Sequence, residues 1–381
     1  MSKDTRRQRR VMIKKERLLN DFLEMAKIPS LSLHERQMGD YLLKSLKNLG
    51  LEVHEDGAGK INNGNCGNII GVLRAPGKKK LLFSSHMATV VPCEKITPIV
   101  KDGKITSDGT SVLGGDDKSG IAAVLEAIKV IKENKMDHPE IIVVFSIGEE
   151  IGLLGSKAFD IDKYSPDYGF ILDSNGKPGE VIVQAPYAAT GELKIIGKPA
   201  HAGLNPEDGI SAIFVAALAI TQIKHGRIDK ETTSNIGVIN GGQAGNIVMP
   251  EVTLKYEARS FSEEKLEKIL KETNDIFQKT ADDNGAKFIN TVKKEYSGFH
   301  IRSGSEVLNK IEEACKKLGF KYEEHSTGGG SDANIYNGKG YTCLDMATGM
   351  SNIHTTDEFI MEEDIYNTAR LVLEIIKGFN I

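Results

Sequence analysis

Between Lys80 and Leu172 the chain alternates short apolar runs with an amphipathic segment, and this order constrains the fold more than any other feature. Lys80-Leu-Leu-Phe-Ser-Ser85, Ile141 to Ile147 and Gly169-Phe-Ile-Leu172 read as strands, because β-branched and aromatic runs of this length suit a buried pleated surface. Ser119 to Lys135 reads as a helix that turns Ile121, Ala122, Val124, Leu125, Ile128 and Ile131 inward. Alternation of this kind predicts an α/β layered sheet. After Gln184-Ala-Pro the pattern changes. Glu192 to Ile196 is strand-like, Ile210 to Ile223 helical, Asn235 to Ile239 and Thr253 to Arg259 strand-like, Glu263 to Ala281 helical and Lys287 to Tyr296 strand-like. That order is β-α-β-β-α-β, the ferredoxin-like arrangement, and it forms a block of normal domain size. The α/β character returns from about Ser297 and ends in a helix over Glu362 to Lys377. The chain is therefore expected to hold a discontinuous α/β domain with a central mixed sheet, 1–186 and 298–381, and an inserted α+β domain, 187–297.

Length agrees with two domains, since 381 residues exceed the size at which one hydrophobic core stops growing. A formal net charge of -4 gives no reason to expect nucleic acid as a partner. Cys66, Cys93, Cys315 and Cys343 include no Cys-x-x-Cys pair, which argues against a disulfide framework or thiolate zinc knuckle and for reduced thiols in the cytoplasm. A basic cluster, Arg6, Arg7, Arg9, Arg10, Lys14, Lys15 and Arg17, precedes Leu18, Leu19, Phe22, Leu23 and Met25 at helical spacing. The polar residues between them rule out an export h-region, and no apolar run reaches the roughly 18 residues of a membrane span. A solvated helix extension is the expectation for the basic tip, with no membrane role.

Chemistry concentrates at the ends of the predicted strands. Glu149-Glu150 follows the run ending at Ile147, and adjacent carboxylates at a sheet edge call for a cation or for a carboxylic acid held for proton transfer. His86 closes one strand and Asp173 another. Asp116 lies in Gly114-Gly-Asp-Asp-Lys-Ser-Gly120 just before a helix, and His354 lies in Asn352-Ile-His-Thr-Thr-Asp-Glu358. Singly, each has a plainer reading: a structural histidine, or a helix cap at Asp116 or Asp117. Together they form a nitrogen and oxygen donor set that suits zinc without a thiolate.

The strings Ser85-His-Met-Ala-Thr-Val90, Gly115 to Gly120, Gly148-Glu-Glu150 with Gly152, Leu172-Asp173 and His354 resemble the dizinc exopeptidases that include peptidase T, aminoacylases and glutamate-releasing carboxypeptidases. The resemblance runs from about Leu18 to the C-terminus and is strongest to peptidase T-like proteins. It implies two zinc ions per subunit, one held by His86 and Asp173, the other by Glu150 and His354, with Asp116 bridging and Glu149 as general base. A metal-bridging water is the family's nucleophile, and the inserted domain is its lid and homodimer contact. In the family, Asp at the position of Asp173 goes with aminopeptidases and dipeptidases, Glu with carboxypeptidases and deacylases. One position departs from the pattern: the family has Asp two residues after the first metal histidine, and this chain has Ala88. Such a carboxylate orients the imidazole, and its loss typically costs about 10–100-fold in metal affinity or activity.

Substrate contacts follow from the same resemblance. His201 in Lys198-Pro-Ala-His-Ala-Gly matches the lid histidine that stabilises the tetrahedral intermediate, in several members across the dimer. Asn246 and Arg259 match positions that bind the substrate's backbone or carboxylate. Arg259 alternates with Ala258 onto the polar face of its strand, where it meets either a substrate carboxylate or a surface salt bridge. Thr327-Gly-Gly-Gly-Ser-Asp332 lacks the Gly-Lys-Ser/Thr ending of a P-loop, and the resemblance makes Gly329 and Gly330 part of a substrate-facing loop. The expected activity is release of the N-terminal residue from tripeptide-like substrates, impaired by Ala88. Removal of an acyl group from an amino acid, carboxypeptidase action, or a non-catalytic peptide-binding dimer are the alternatives.

Overall fold

The strand Glu140–Ser146 is buried at every residue, as expected of an apolar run covered on both faces, and it lies inside a mixed sheet. The computed structural model describes residues 12–76 and 79–380, so Arg6, Arg7, Arg9 and Arg10 lie outside the described residues. It divides into two units, Met1–Val183 with His300–Ser326 and Ser331–Ile381, and Gln184–Phe299 with Thr327–Gly330.

In the first unit the sheet runs in the order Glu52–Glu55, Ile69–Leu73, Glu140–Ser146, Lys80–His86, Tyr168–Ser174, Cys343–Ala347, Glu180–Ala185. The middle four strands are mutually parallel. Ile69–Leu73 is antiparallel to Glu140–Ser146, and Glu180–Ala185 is antiparallel to Cys343–Ala347. Parallel neighbours deliver their carboxyl ends to one edge, where ligands of such sheets bind. The helix Gly115–Asn134 packs against Glu362–Gly378 and Lys15–Ala26. Lys15–Ala26 buries Leu18, Phe22 and Met25, three of the positions read from the spacing. The described part of the basic cluster is used internally. Arg17 grips the buried Glu126 through Nε (2.7 Å) and Nη2 (2.8 Å) and also pairs with Glu133, while Lys15 pairs with Glu363. No helix among the described residues is long and apolar enough to cross a membrane.

The second unit has an antiparallel sheet in the order Gly226–Arg227, Thr232–Gly241, Glu251–Ser260, Tyr187–Ile196, Lys287–Asn290. Helices Ala212–Ile220 and Glu263–Asp283 cover one face, over a core that includes Leu193, Ile195, Leu254, Tyr256, Leu266 and Phe277. Ser262 caps the second helix by accepting the Lys265 N–H at 3.3 Å, the reason the helix starts at Glu263. The single strand expected over Lys287 to Tyr296 is instead two, Lys287–Asn290 and Lys293–Tyr296, both paired with Tyr187–Ile196. The break falls where Val292 approaches Gly191 so closely that a Cβ there would lie 2.4 Å from the Val292 Cα, and the Asn290 side chain takes the Val292 N–H.

Candidate active site

Five chain segments of the first unit bring His86, Asp116, Glu149, Glu150, Asp173 and His354 together. His86 ends the strand Lys80–His86, and Asp173 is the last residue but one of the parallel strand Tyr168–Ser174. Glu149 and Glu150 open a single 3₁₀ turn after Glu140–Ser146. Asp116 stands at the start of Gly115–Asn134, with dihedrals (φ −81°, ψ 104°) that are not helical. His354 lies on the loop between Ser351 and Phe359, half-exposed and in the left-handed region at φ 63°.

Asp116 faces both histidines. Its Oδ1 is 3.0 Å from His86 Nε2 and its Oδ2 is 3.3 Å from His354 Nε2. Asp173 Oδ1 is 3.3 Å from His86 Nε2, and Glu150 Oε2 is 2.9 Å from His354 Nε2. The acidic doublet is thus split between the two imidazoles, since Glu149 Oε2 lies 4.0 Å from His86. Donor atoms of His86, Asp116 and Asp173, and of Asp116, Glu150 and His354, cluster within 4.8 Å of one another, as do those of His86, Glu149 and Glu150.

Electrostatics set the demand for a cation. Four carboxylates converge on two imidazoles. Burial, together with Asp332, Glu150 and Asp116, pushes the Glu149 carboxyl up to about 8 against the pull of His86. Burial also raises Asp173 well above the carboxylate range, although His86 opposes it. Asp116 is buried as well, yet His354 and His86 outweigh that cost and hold it well below the usual range. Hydrogen bonds to Asp116 and Glu150 raise His354 to about 10. Glu150 Oε1 is buried with no hydrogen-bond partner among the described residues.

Asp117 does not cap the helix, as one reading of the sequence had it. The non-helical backbone of Asp116 and Asp117 turns its carboxylate toward the neighbouring strand, where Oδ2 accepts the His86 N–H at 3.2 Å. Behind His86, Nδ1 meets the backbone carbonyl of Ala88 at 2.9 Å, and Ala88 itself is fully buried. Donation of the Nδ1 proton there leaves Nε2 free as a ligand. Besides Glu358, three buried carboxylates near the cluster were not singled out from the sequence. Asp332 Oδ2 accepts from Ser146 Oγ at 2.6 Å, Asp345 Oδ1 accepts the Asp173 N–H at 3.2 Å, and Glu35 Oε1 accepts the Gly148 N–H at 2.8 Å. Asp345, alone among the apolar residues of Cys343–Ala347, carried a readable signal; Glu35 carried none.

The remaining expected residues lie in the second unit, in two groups. The Ala202 N–H donates to the Asn246 carbonyl at 2.9 Å, and His201 bridges to Ile247. His201 Nδ1 accepts the N–H groups of Gly203 and Leu204, each at 3.2 Å, so Nε2 carries the ring proton. Arg259 belongs to the other group. Its fork is closed on Glu257, Nε to Oε1 at 3.0 Å and Nη2 to Oε2 at 2.9 Å, while Nη1 donates to the Gly328 carbonyl at 2.9 Å. Gly330 packs on the Tyr296 ring, where a Cβ would lie 2.4 Å from Cζ. Gly329 sits beside it, its N–H on Thr327 Oγ1 at 3.1 Å.

Comparison with known proteins agrees with this architecture. Residues 186–285 match the M20 peptidase dimerisation domain, and residues 88–180 match the M42 glutamyl aminopeptidase family. The chain is 41% identical to the Bacillus subtilis protein YqjE over 96% of its own length and 99% of the relative's. The crystal structure of aminopeptidase PepT from Bacillus cereus superposes with a TM-score of 0.90 at 42% identity, covering 97% of this chain and 99% of that one. A tripeptidase from Staphylococcus aureus gives 0.93 at 40% identity, with the same coverage. An α/β unit with paired acidic and histidine donors, joined to a dimerisation-type unit and matched end to end by two such enzymes, places this chain in the peptidase T-like family of M20 peptidases.

Proposed function

We propose that this chain is a zinc aminopeptidase that releases the N-terminal residue of tripeptide-like substrates. The observation that carries the reading is Asp116, whose two oxygens each face a different histidine. The donors fit a pair of cations. His86 and Asp173 would hold one, Glu150 and His354 the other, and Asp116 both, with the unpartnered Glu150 Oε1 available to its site. A nitrogen and oxygen set without thiolate suits zinc, and the four cysteines are free and buried elsewhere, which also supports a cytoplasmic setting. When bound, such a cation pair lowers the pKa of a water held at the site and polarises the scissile carbonyl.

The residues do the rest. Glu149 Oε2 lies 4.0 Å from His86 Nε2, farther than the oxygens of Asp116 and Asp173, and as a base it accepts the proton of the attacking water and returns it to the leaving amine. Protonated at Nε2, His201 is a donor for the developing oxyanion. Arg259 captures a substrate carboxylate by exchanging it for that of Glu257. Product analysis of a tripeptide and of an N-acyl amino acid, with and without zinc, tests the assignment: cleavage of the acyl compound alone would reject it.

Position 88 adjusts the rate. The Ala88 carbonyl already fixes the ring orientation of His86, and what is missing is negative charge behind the imidazole. Ala88→Asp is therefore expected to raise turnover or zinc affinity about tenfold, the low end of the effect of such carboxylates. Unchanged turnover at saturating zinc together with unchanged zinc affinity would remove Ala88 as a cause of impairment.

Two features of the second unit support a homodimer. Ile213, Phe214 and Leu218 of one helix and Val238 and Ile239 of the strand Thr232–Gly241 are exposed apolar residues, and beyond Ser234 the outer edge of that strand pairs with no other strand among the described residues. The His201 group, moreover, lies at the Pro250 end of the strand Glu251–Ser260, and Arg259 lies at the opposite end, about 30 Å away at ~3.3 Å per residue. One small peptide cannot touch both groups of a single chain, so a second copy supplies one of them. Mixing His201→Ala chains with Glu149→Gln chains, each inactive alone, is expected to restore about a quarter of full activity through hybrid dimers. No recovery on mixing would refute a His201 supplied by the second copy and leave Arg259 as the group that crosses.

A further inference from the structure

Glu358 belongs to none of the donor clusters, yet its carboxylate, 2% exposed, is the point where two ligand-bearing loops meet. Oε2 accepts the N–H groups of Leu113 at 2.7 Å and Gly114 at 2.8 Å, and Oε1 accepts the Asp116 N–H at 2.9 Å. Hydrogen bonds to an ionised acceptor are roughly twice as strong as neutral ones, so this grip on Leu113 to Asp116 is firm. The residue lies four positions after His354 on a turn closed by two Ser351–Phe359 backbone hydrogen bonds of 3.0 Å and by the Glu358 N–H on the Thr355 carbonyl. One side chain thus ties the loop of His354 to the backbone of Asp116.

The two candidate cation sites depend on this tie unequally. His86 is paired into the parallel ladder and its N–H is held by Asp117, and Asp173 lies in a strand with its N–H held by Asp345. Both are fixed without Glu358. His354 is half-exposed on a loop, at a positive φ that a histidine seldom adopts, and its ring meets Asp116 and Glu150.

We infer that Glu358 is a positioning residue for the cation site of Asp116, Glu150 and His354, setting the distance between Asp116 and His354, with little effect on the site of His86, Asp116 and Asp173. The inference rests on the metal reading of the preceding section. A carboxylate is required because both oxygens must accept. Glutamine keeps the shape and one acceptor for Leu113 and Gly114, but sets an amide donor against the Asp116 N–H.

Titration of cobalt(II) into the metal-stripped full-length protein, followed by visible absorption and by chelator competition, tests this. The parent chain is expected to take up two cations. Glu358→Gln should keep the first at parental affinity and bind the second about 10–100-fold more weakly. Gly115→Ala offers a second route that spares Glu358, because its Cβ would lie 3.0 Å from Glu358 Oε1 and push the carboxylate off Asp116. It should weaken the same site, by less. Equal weakening of both sites, or none, in the two variants would overturn the inference. A parent chain that binds no cobalt would instead overturn the metal reading, and this inference with it.

Discussion

Glu149→Gln is expected to lower kcat about 10²–10⁴-fold, the range for loss of a positioned general base, with zinc content and KM nearly unchanged. The amide has the size of the carboxylate but cannot take a proton. Ligation survives because His86 and His354 each keep a full donor set without Glu149, namely Asp116 with Asp173 and Asp116 with Glu150. The measurement is kcat and KM for a tripeptide alongside metal analysis of the same sample. A variant with full zinc and a kcat within tenfold of the parent would move the base elsewhere. Asp332 would be the next group to examine, since it is buried, acts on Glu149 and has no hydrogen-bond partner for Oδ1 among the described residues. Loss of zinc in the variant would make Glu149 a ligand, as its place beside His86 and Glu150 would allow.

The same residues show what is legible in a sequence. His86, Glu149, Glu150 and Asp173 end apolar runs, and parallel strands carry such ends to one edge whatever their order along the chain, so periodicity alone gathers them. His354 lies on a loop and Asp116 at the non-helical start of a helix, so no strand end marks them, and their roles came from family resemblance. The buried carboxylates that hold these segments follow no spacing at all. Glu358 acts on backbone N–H groups 242 to 245 residues away, Asp345 on one 172 away, and Glu35 on one 113 away. A contact to main chain leaves no residue pattern at its other end. Glu257 is the opposite case. Two residues before Arg259 on a ten-residue strand, it had to share the face of Arg259, and alternation alone gives the pair.

Removal of metal should abolish activity, and it should change how stability depends on pH. In the stripped protein the Glu149 carboxyl, raised to about 8 by burial and by Asp332, Glu150 and Asp116, binds a proton that the unfolded chain releases near 4.5. Asp173 is raised as well, and His354, raised to about 10, shifts in the same sense. The native state then holds more protons than the unfolded state, so stability falls as pH rises from about 5 to about 8. Asp116 has the opposite sign, but its contribution is lost only below the ordinary carboxylate range, outside that window. Bound cations replace those protons, ionise the carboxyls and reverse the trend, because protons now compete with metal at the acid end. Zinc at a hundredfold its Kd adds about 2.7 kcal/mol per site. Thermal melts of stripped and zinc-loaded protein should therefore nearly coincide near pH 5 and diverge by several degrees by pH 8, with the loaded form higher. Glu149→Gln should flatten part of the stripped curve, since it cannot titrate. Parallel curves across that range would mean that the six converging side chains hold no cation, and the peptidase chemistry would then need another source.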